Sequence, residues 1–295
     1  MPCFYPVSAF VGQDGQVRFH ESERGGDARS VQLPCGRCIG CRLERSRQWA
    51  VRCLHEAQLW DSNLFVTLTY REDMLPDHGS LRYRDFQLFM KRLRKSGRRV
   101  RFFMCGEYGE EGRRPHFHAC LFNCDFADKR LLRSGRNKLW ESDELTRLWG
   151  HGLVTFGAVT FESAAYVARY CTKKVLGKDA LAHYAVGVDA DGVVISIEPE
   201  FAHMSLKPGI GAGWFERFGS DVFPADRAVV RGTEAKPPRY YDKLYRRRVG
   251  DSVYSELVAA REYRAYPSRK DGIPRRLRDR EIVTEARYRL SRRSL

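Results

Sequence analysis

His116-Phe117-His118 places two imidazoles one residue apart. In a β-strand both project from one face, while Phe117, Ala119 and Leu121 turn to the other and face a core. A second strand-like run ends at Glu107, and the short turn between the two runs brings its carboxylate alongside the pair. Two imidazoles and a carboxylate bind a divalent cation and leave positions free for phosphate oxygens and water. Further along, Tyr166-Val167-Ala168-Arg169-Tyr170 sets two phenols a helical turn apart on one face. Lys173 and Lys174 are expected to reach the same face. A phenol with its ordinary pKa of about 10 is a poor nucleophile. Phosphate held on a cation, together with nearby ammonium groups, favours the phenolate. Each feature alone also fits ordinary packing, because H-x-H occurs in structural strands and half-buried helices pack tyrosines on sheets. Together they describe phosphodiester transesterification.

A second cluster has another use. Cys35, Cys38 and Cys41 show the C-x₂-C-x₂-C spacing that lets several thiolates meet one metal, and Cys3 supplies a fourth. The expected outcome is structural zinc; a redox-labile thiol group is the alternative, and an iron–sulfur cluster fits less well. Cys53, Cys105, Cys120, Cys124 and Cys171 are expected to be core or near-surface thiols.

These groups need elements to hold them. Leu64 to Tyr70 is rich in β-branched and apolar residues and predicts a strand, with Thr67 and Thr69 on one face lining the site. Phe86, Phe89, Met90 and Leu93 follow helical spacing, with Lys91, Arg92, Arg94 and Lys95 outside. Val100 to Glu107 and Pro115 to Phe122 predict two strands joined by a Gly- and charge-rich turn. Residues 125–150 predict a charged helix, Leu153 to Phe156 a short strand, and Glu162 to Lys174 a helix. Trp49, Cys53 and Trp60 recur near one face of an earlier helix. Trp49, Trp140 and Trp149 are expected in the core, and Tyr240-Tyr241 in ordinary packing. Strands and helices mix without βαβ alternation, which predicts an α+β fold with a mainly antiparallel sheet and helices packed on it.

The chain has 295 residues, 43% hydrophobic and 12% aromatic, enough for a sizeable core. Its formal net charge of +15 favours a polyanionic partner, because each neutralised phosphate releases counterions. The last segment, Arg269 to Leu295, holds ten Lys/Arg against four Asp/Glu. The start lacks the basic and apolar regions of a signal peptide, and no apolar stretch is long enough to span a bilayer, so a soluble intracellular protein is expected. Nine cysteines in such a chain are expected as thiols or ligands, not disulfides.

Phe65 to Tyr70, then Gly106-Glu107-Tyr108-Gly109 with Arg114 to His118, then Tyr166 to Lys174 resemble the three ordered motifs of HUH endonucleases. The paired tyrosines downstream of the histidines and the Cys-rich start are similar to the replication initiators of microviruses, in particular the gokushovirus-like phages. The likeness runs from Cys3 to about Lys243. It includes Pro34 to Cys41, Trp149-Gly150-His151-Gly152 and Pro208-Gly209-Ile210-Gly211. It implies a rolling-circle initiator in the host bacterial cytoplasm that nicks single-stranded origin DNA. Glu107, His116 and His118 would hold Mg²⁺ or Mn²⁺; one tyrosine would form a 5′-phosphotyrosine, and the second would permit rejoining. Partners would be viral origin DNA, single-stranded or supercoiled, with a host helicase and polymerase, since the chain has no G-x-x-x-x-G-K-[ST] loop. The expected organisation is a Cys-rich segment with a helix over 1–60, an HUH core over 61–185 and a basic accessory region over 186–295. Two other readings compete: a zinc-stabilised DNA-binding protein without catalysis, and another metalloenzyme with a two-histidine, one-carboxylate site.

Overall fold

The computed structural model describes residues 3–12, 14, 16–20, 28–110, 112–135, 137–170, 174–175 and 178–292. Two compact units divide the chain, Met1–Arg45 with Asp251–Leu295, and Ser46–Gly250. In the first, β1 (Val7–Val11), β2 (Val17–Arg18) and β3 (Arg29–Leu33) form an antiparallel sheet in the order β2-β1-β3. Helix α1 (Ile39–Ala57) follows, with its residues from Ser46 onward grouped with the second unit. The C-terminal part of this unit is tied to its N-terminal part by hydrogen bonds from Tyr5 to Glu281 (2.6 Å) and from Arg29 to Glu262 (2.9 Å).

The second unit contains β4 (Asn63–Thr69), α2 (Tyr83–Lys95), β5 (Arg101–Tyr108), β6 (Pro115–Phe122), β7 (Arg130–Arg133) and β8 (Leu139–Glu141). Then come α3 (Asp143–Trp149), β9 (Val154–Ala158), α4 (Phe161–Tyr170), α5 (Asp179–Tyr184), β10 (Ala185–Val188), β11 (Val194–Ser196) and β12 (Phe201–Met204). The rest is α6 (Ala212–Val222), β13 (Ala228–Val230), β14 (Thr233–Ala235), α7 (Arg239–Ala265) and α8 (Pro274–Arg292). Of these, α7 belongs to this unit only up to Gly250, and α8 belongs wholly to the first. Seven strands form one sheet in the order β12-β5-β6-β4-β9-β8-β7, with every neighbouring pair antiparallel. The fold is α+β, as expected.

Both faces of this sheet are covered, and the period-two alternation decides which side chain meets which cover. Leu64, Val66 and Leu68 of β4 and Phe117, Ala119 and Leu121 of β6 pack with Phe86, Phe89, Met90 and Leu93 of α2 and Trp149 of α3. The opposite parity puts Phe103, Cys105, Cys120 and Phe122 against Ala50 and Cys53 of α1 and Ala164, Val167 and Ala168 of α4. Cys124 is buried too, so four of the expected core thiols lie inside; Cys171 lies outside the described residues.

The sequence expectation of a charged helix over 125–150 is corrected. This stretch forms the edge strand β7, its neighbour β8 and only a short helix, α3. Ser142 caps α3 by accepting from the Leu145 N–H, and Gly150 ends it at φ +74°. The strands form by pairing along β9, first β8 and then β7, a context that charge and propensity do not report. The helix expected to reach Lys174 stops at Tyr170 in the described residues, and Lys174 itself is not helical. Trp149 is fully buried, while Trp49 and Trp140 are half-buried against the two cores. Trp60 lies beyond the end of α1 yet still packs on its cluster.

Two quoted motifs are explained by close packing. In Trp149-Gly150-His151-Gly152, the Trp149 indole donates to the Thr69 carbonyl (3.1 Å) and the Arg71 N–H to that of His151 (2.8 Å). A Cβ at Gly152 would lie 2.2 Å from the Thr69 oxygen and 2.5 Å from the Arg71 nitrogen. Pro208-Gly209-Ile210-Gly211 surrounds the buried Glu56, whose carboxylate takes Arg101 (2.7 Å) and the Gly211 N–H (2.7 Å). Next to it, buried His55 bonds the Tyr241 hydroxyl (2.8 Å) and stacks on Trp214 (3.6 Å). Tyr241 is thus in ordinary packing, and Tyr240 lies under the Arg52 guanidinium.

Gly152→Ala should destabilise the protein by about 1–3 kcal/mol in urea unfolding, because backbone and not a side chain stands in the way. Burial drops the His55 imidazole to about 4 from its ordinary 6.5. A lowered pKa means stability that is whole above the unfolded value and is lost as pH falls through the folded one. Urea titrations should therefore show stability falling between about pH 6.5 and 4, by up to about 3 kcal/mol, and this loss should shrink in His55→Gln.

Candidate metal and tyrosine site

The second sheet face runs out of apolar cover at one end, and the titratable groups begin there. Glu107 on β5 pairs with His116 on β6, and His118 pairs with Cys105 on one side and Thr67 on the other. All point to the α4 side by the same parity that buries Phe103 and Cys105. The Nε2 atoms of His116 and His118 lie 2.9 Å and 3.0 Å from one oxygen, Glu107 Oε1. Glu107 is 1% exposed, and its Oε2 is buried without a hydrogen-bond partner.

Hydrogen bonds behind the rings fix their orientation. His116 Nδ1 lies 3.0 Å from the Arg114 carbonyl, which can only accept, so Nδ1 carries the proton. In the neutral ring Nε2 then presents a lone pair to a carboxylate oxygen. Such an arrangement calls for a cation or a second proton between them. His118 Nδ1 meets the Thr67 hydroxyl at 2.9 Å. Phe65, two residues before Thr67 on the same face, stacks on His118 with ring centres 5.5 Å apart. These are the outer contacts that hold metal-binding imidazoles in place. With the unpartnered carboxylate oxygen, they show that the residues fit a divalent cation.

Helix α4 brings Tyr166 to this group. Its start is capped reciprocally: the Ser163 N–H donates to Thr160 Oγ1 (3.1 Å) and the Thr160 N–H to Ser163 Oγ (2.8 Å). Ala164 and Ala168 let the helix lie close to the sheet, and Ser46 of α1 donates to the Ala165 carbonyl (3.0 Å). The Tyr166 ring meets His118 edge-on, with centres 5.1 Å apart, and Phe65 at 6.3 Å. Tyr170 closes the described helix one turn on; its side chain lies outside what is described, as does Lys173. Lys174 is half-buried beyond the helix, so helical spacing from Tyr170 does not place it.

The four cysteines also converge, in the first unit. Their sulfurs lie within 4.8 Å of one another. Tetrahedral zinc with bonds of about 2.3 Å separates its sulfurs by about 3.8 Å. Backbone amides already point at these sulfurs: Cys35 N–H to Cys3 (3.2 Å), Cys38 N–H to Cys35 (3.4 Å) and Phe4 N–H to Cys38 (3.4 Å). Burial pushes the Cys3 and Cys41 thiols up. Burial acts on Cys35 too, but N–H donors from Cys38 and Arg37 together with hydrogen bonds to the Cys3 and Cys38 thiols outweigh it and bring that thiol down to about 7. The donor set fits a tetrahedral metal.

Sequence reasoning grouped Glu107, His116, His118, Thr67 and the cysteines. It did not find Phe65 or the Arg114 carbonyl. Phe65 shares its parity with Thr67, and that alternation was the available signal.

Residues 63–175 match the family model for the replication-associated protein ORF2/G2P. Over 259 residues the chain is 34% identical to replication-associated protein VP4 of Bdellovibrio phage phiMH2K, covering 84% of this chain and 78% of that one. It is 29% identical over 316 residues to replication-associated protein ORF2 of Spiroplasma virus 4, covering 98% and 92%. Replication-associated protein ORF4 of Chlamydia phage 1 is 30% identical over 233 residues, 75% of this chain and 55% of that one. No solved structure matches. The chain belongs to the family of phage replication-associated proteins. Within it, the likeness to microvirus replication initiators drawn from the motifs is borne out.

Purified protein should carry about one zinc per chain at the cysteine cluster, four thiolates to one ion. Elemental analysis checks the stoichiometry. Chelation should lower the melting temperature of wild type and have little effect on Cys35→Ser/Cys38→Ser. Folded, metal-free protein of undiminished stability would refute the site.

Proposed function

We propose that this protein initiates rolling-circle replication of a small phage genome by nicking and rejoining single-stranded origin DNA through tyrosine. The observation that carries this reading is the Tyr166 ring standing 5.1 Å from His118, one member of the convergent Glu107, His116 and His118 group. The nuclease core is the stretch 61–185, with the remainder accessory.

Glu107, His116 and His118 would hold the divalent ion, Mg²⁺ or Mn²⁺, which when bound polarises a phosphate and offsets charge in the transition state. The protein's own part is positional. The sheet register holds the three ligands, Thr67 and the Arg114 carbonyl orient the imidazoles, and α4 delivers the phenol. The Tyr166 oxygen forms a bond to phosphorus and loses its proton. The bond from phosphorus to the 3′ oxygen breaks, and that oxygen takes up a proton. The products are a 5′-phosphotyrosine and a free 3′-OH. The phosphodiester energy is kept, so rejoining needs no nucleotide triphosphate. Tyr166 and Tyr170 serve in turn, either one acting while the other still holds DNA, and Lys173 and Lys174 supply positive charge near the phosphate. Origin DNA is the substrate; a host helicase and polymerase complete replication in the bacterial cytoplasm. No helix among the described residues is long and apolar enough to cross a membrane.

Incubation with single-stranded origin DNA and Mn²⁺ should yield a covalent adduct that mass spectrometry places on Tyr166 or Tyr170. Each single Tyr→Phe variant should retain one round of nicking and fail at sustained strand transfer; the double variant should form no adduct yet still bind DNA. His116→Ala or His118→Ala should abolish cleavage while leaving most of the electrostatic affinity. An adduct on another residue, or one that survives in the double variant, would overturn the assignment.

A further inference from the structure

Helix α2 has two faces of opposite character. Phe86, Phe89, Met90 and Leu93 are buried on the side of the sheet opposite His116 and His118. Arg84, Lys91 and Lys95, seven and four residues apart, form one exposed outward stripe, with exposed Arg94 beside it. From Arg82 to Arg99 the chain has eight Lys/Arg and a single carboxylate, Asp85. Asp85 is buried, accepts from the Tyr70 hydroxyl at 2.8 Å, and lies 3.9 Å from Arg82. Arg98 is committed to Glu144, and Arg92 to the carbonyls of Leu148 and Trp149. Arg84, Lys91 and Lys95 have no ion-pair partner among the described residues.

We infer that the outer face of α2 docks duplex DNA, on the side of the sheet turned away from the metal and tyrosine site. Lys91 and Lys95 are like charges one turn apart, which weakens an isolated helix; a polyanion laid over the stripe reverses the sign of that effect. The stripe from Arg84 to Lys95 is about 16 Å long, enough to follow several phosphates of one strand. Duplex is preferred over single strand because this face offers no exposed ring among the described residues. Tyr83 is half-buried and stacked on His203 at 3.8 Å, and Phe86 and Phe89 are in the core. Single-strand sites combine cations with stacking aromatics, whereas duplex backbones are gripped by cations alone. The aromatic groups Tyr166 and Phe65 lie instead on the opposite sheet face. The inference concerns binding and holds whether or not the proposed nicking chemistry does.

The test uses the full-length protein in EDTA, with a short duplex of arbitrary sequence and a single strand of equal length. Anisotropy titrations across salt compare wild type with Arg84→Ala/Lys91→Ala/Lys95→Ala. For three lost phosphate contacts, the log–log salt slope for duplex should flatten by about 2.7, with a loss of affinity of tenfold or more at low salt. Single-strand affinity should change by less than about twofold. The charge-keeping variant Arg84→Lys/Lys91→Arg/Lys95→Arg should bind duplex as wild type does. Equal melting curves for the three proteins would show that the fold is intact, as the exposure of these residues leads one to expect. Unchanged duplex affinity and slope, or an equal loss for single strand and duplex, would overturn the inference.

Discussion

The register between β4, β6 and β5 is the constraint on which the rest of this structure depends. Thr69 and Thr67 oppose His116 and His118 on one side of β6, and Glu107 and Cys105 oppose the same two residues on the other. A slip of one residue would turn both imidazoles into the aromatic core around Phe86 and Trp149 and send Phe117 to the α4 side. The slip is prevented by packing far from the chemistry. Phe117, Ala119 and Leu121 are fully buried under α2 and α3, and reversing the strand would drive two imidazoles into that apolar core and bring Phe117 against Glu107. The large core on one face therefore specifies the geometry of the small polar site on the other.

That dependence also explains where the polar site lies. A carboxylate and two imidazoles cannot be enclosed without compensation, and the sheet end is where the cover by Ala164, Val167 and Ala168 gives way. Glu107 is nevertheless almost fully buried, and its compensation is shared between two imidazoles on a single oxygen. This geometry is incomplete as a hydrogen-bonded cluster, because one ring has its proton on the far nitrogen and the other carboxylate oxygen is buried without a partner. A divalent cation would resolve both defects at once.

Much of this was legible in the sequence because the decisive signals are short and periodic. The alternation in His116-Phe117-His118 and Leu64 to Thr69 gave the faces, and Phe86 to Leu93 gave the helix that pins them. The strands β7 and β8 were not legible. The exposed β7 carries an arginine at each end, the half-buried β8 is only three residues long, and pairing in the order β9-β8-β7 makes them strands. Nor did helical spacing past Tyr170 survive, since Lys174 leaves the helix. The association of Asp251–Leu295 with the N-terminal segment was hidden too, for it rests on long-range pairs such as Tyr5 with Glu281 that no local pattern announces. The cysteine spacing gave three members of its cluster, while Cys3 came from counting donors; chain reversal over more than thirty residues was needed to bring it in.

The helix that pins the register also carries a stripe of cations without ion-pair partners among the described residues, and the two roles do not conflict, because a helix separates them by half a turn. The inner residues of α2 respond to volume and the outer ones to charge. Changes at Arg84, Lys91 or Lys95 leave Phe86, Phe89, Met90 and Leu93 untouched, so surface electrostatics can vary without shifting β6. On the other face no such separation exists. Phe65 both packs against α4 and stacks on His118, and Thr67 both continues the strand and holds an imidazole nitrogen. Substitutions there alter packing and site geometry together. The sheet thus has one face where surface charge can be adjusted independently of the fold and one where side chains serve packing and the polar group together, and Glu107, His116 and His118 lie on the second.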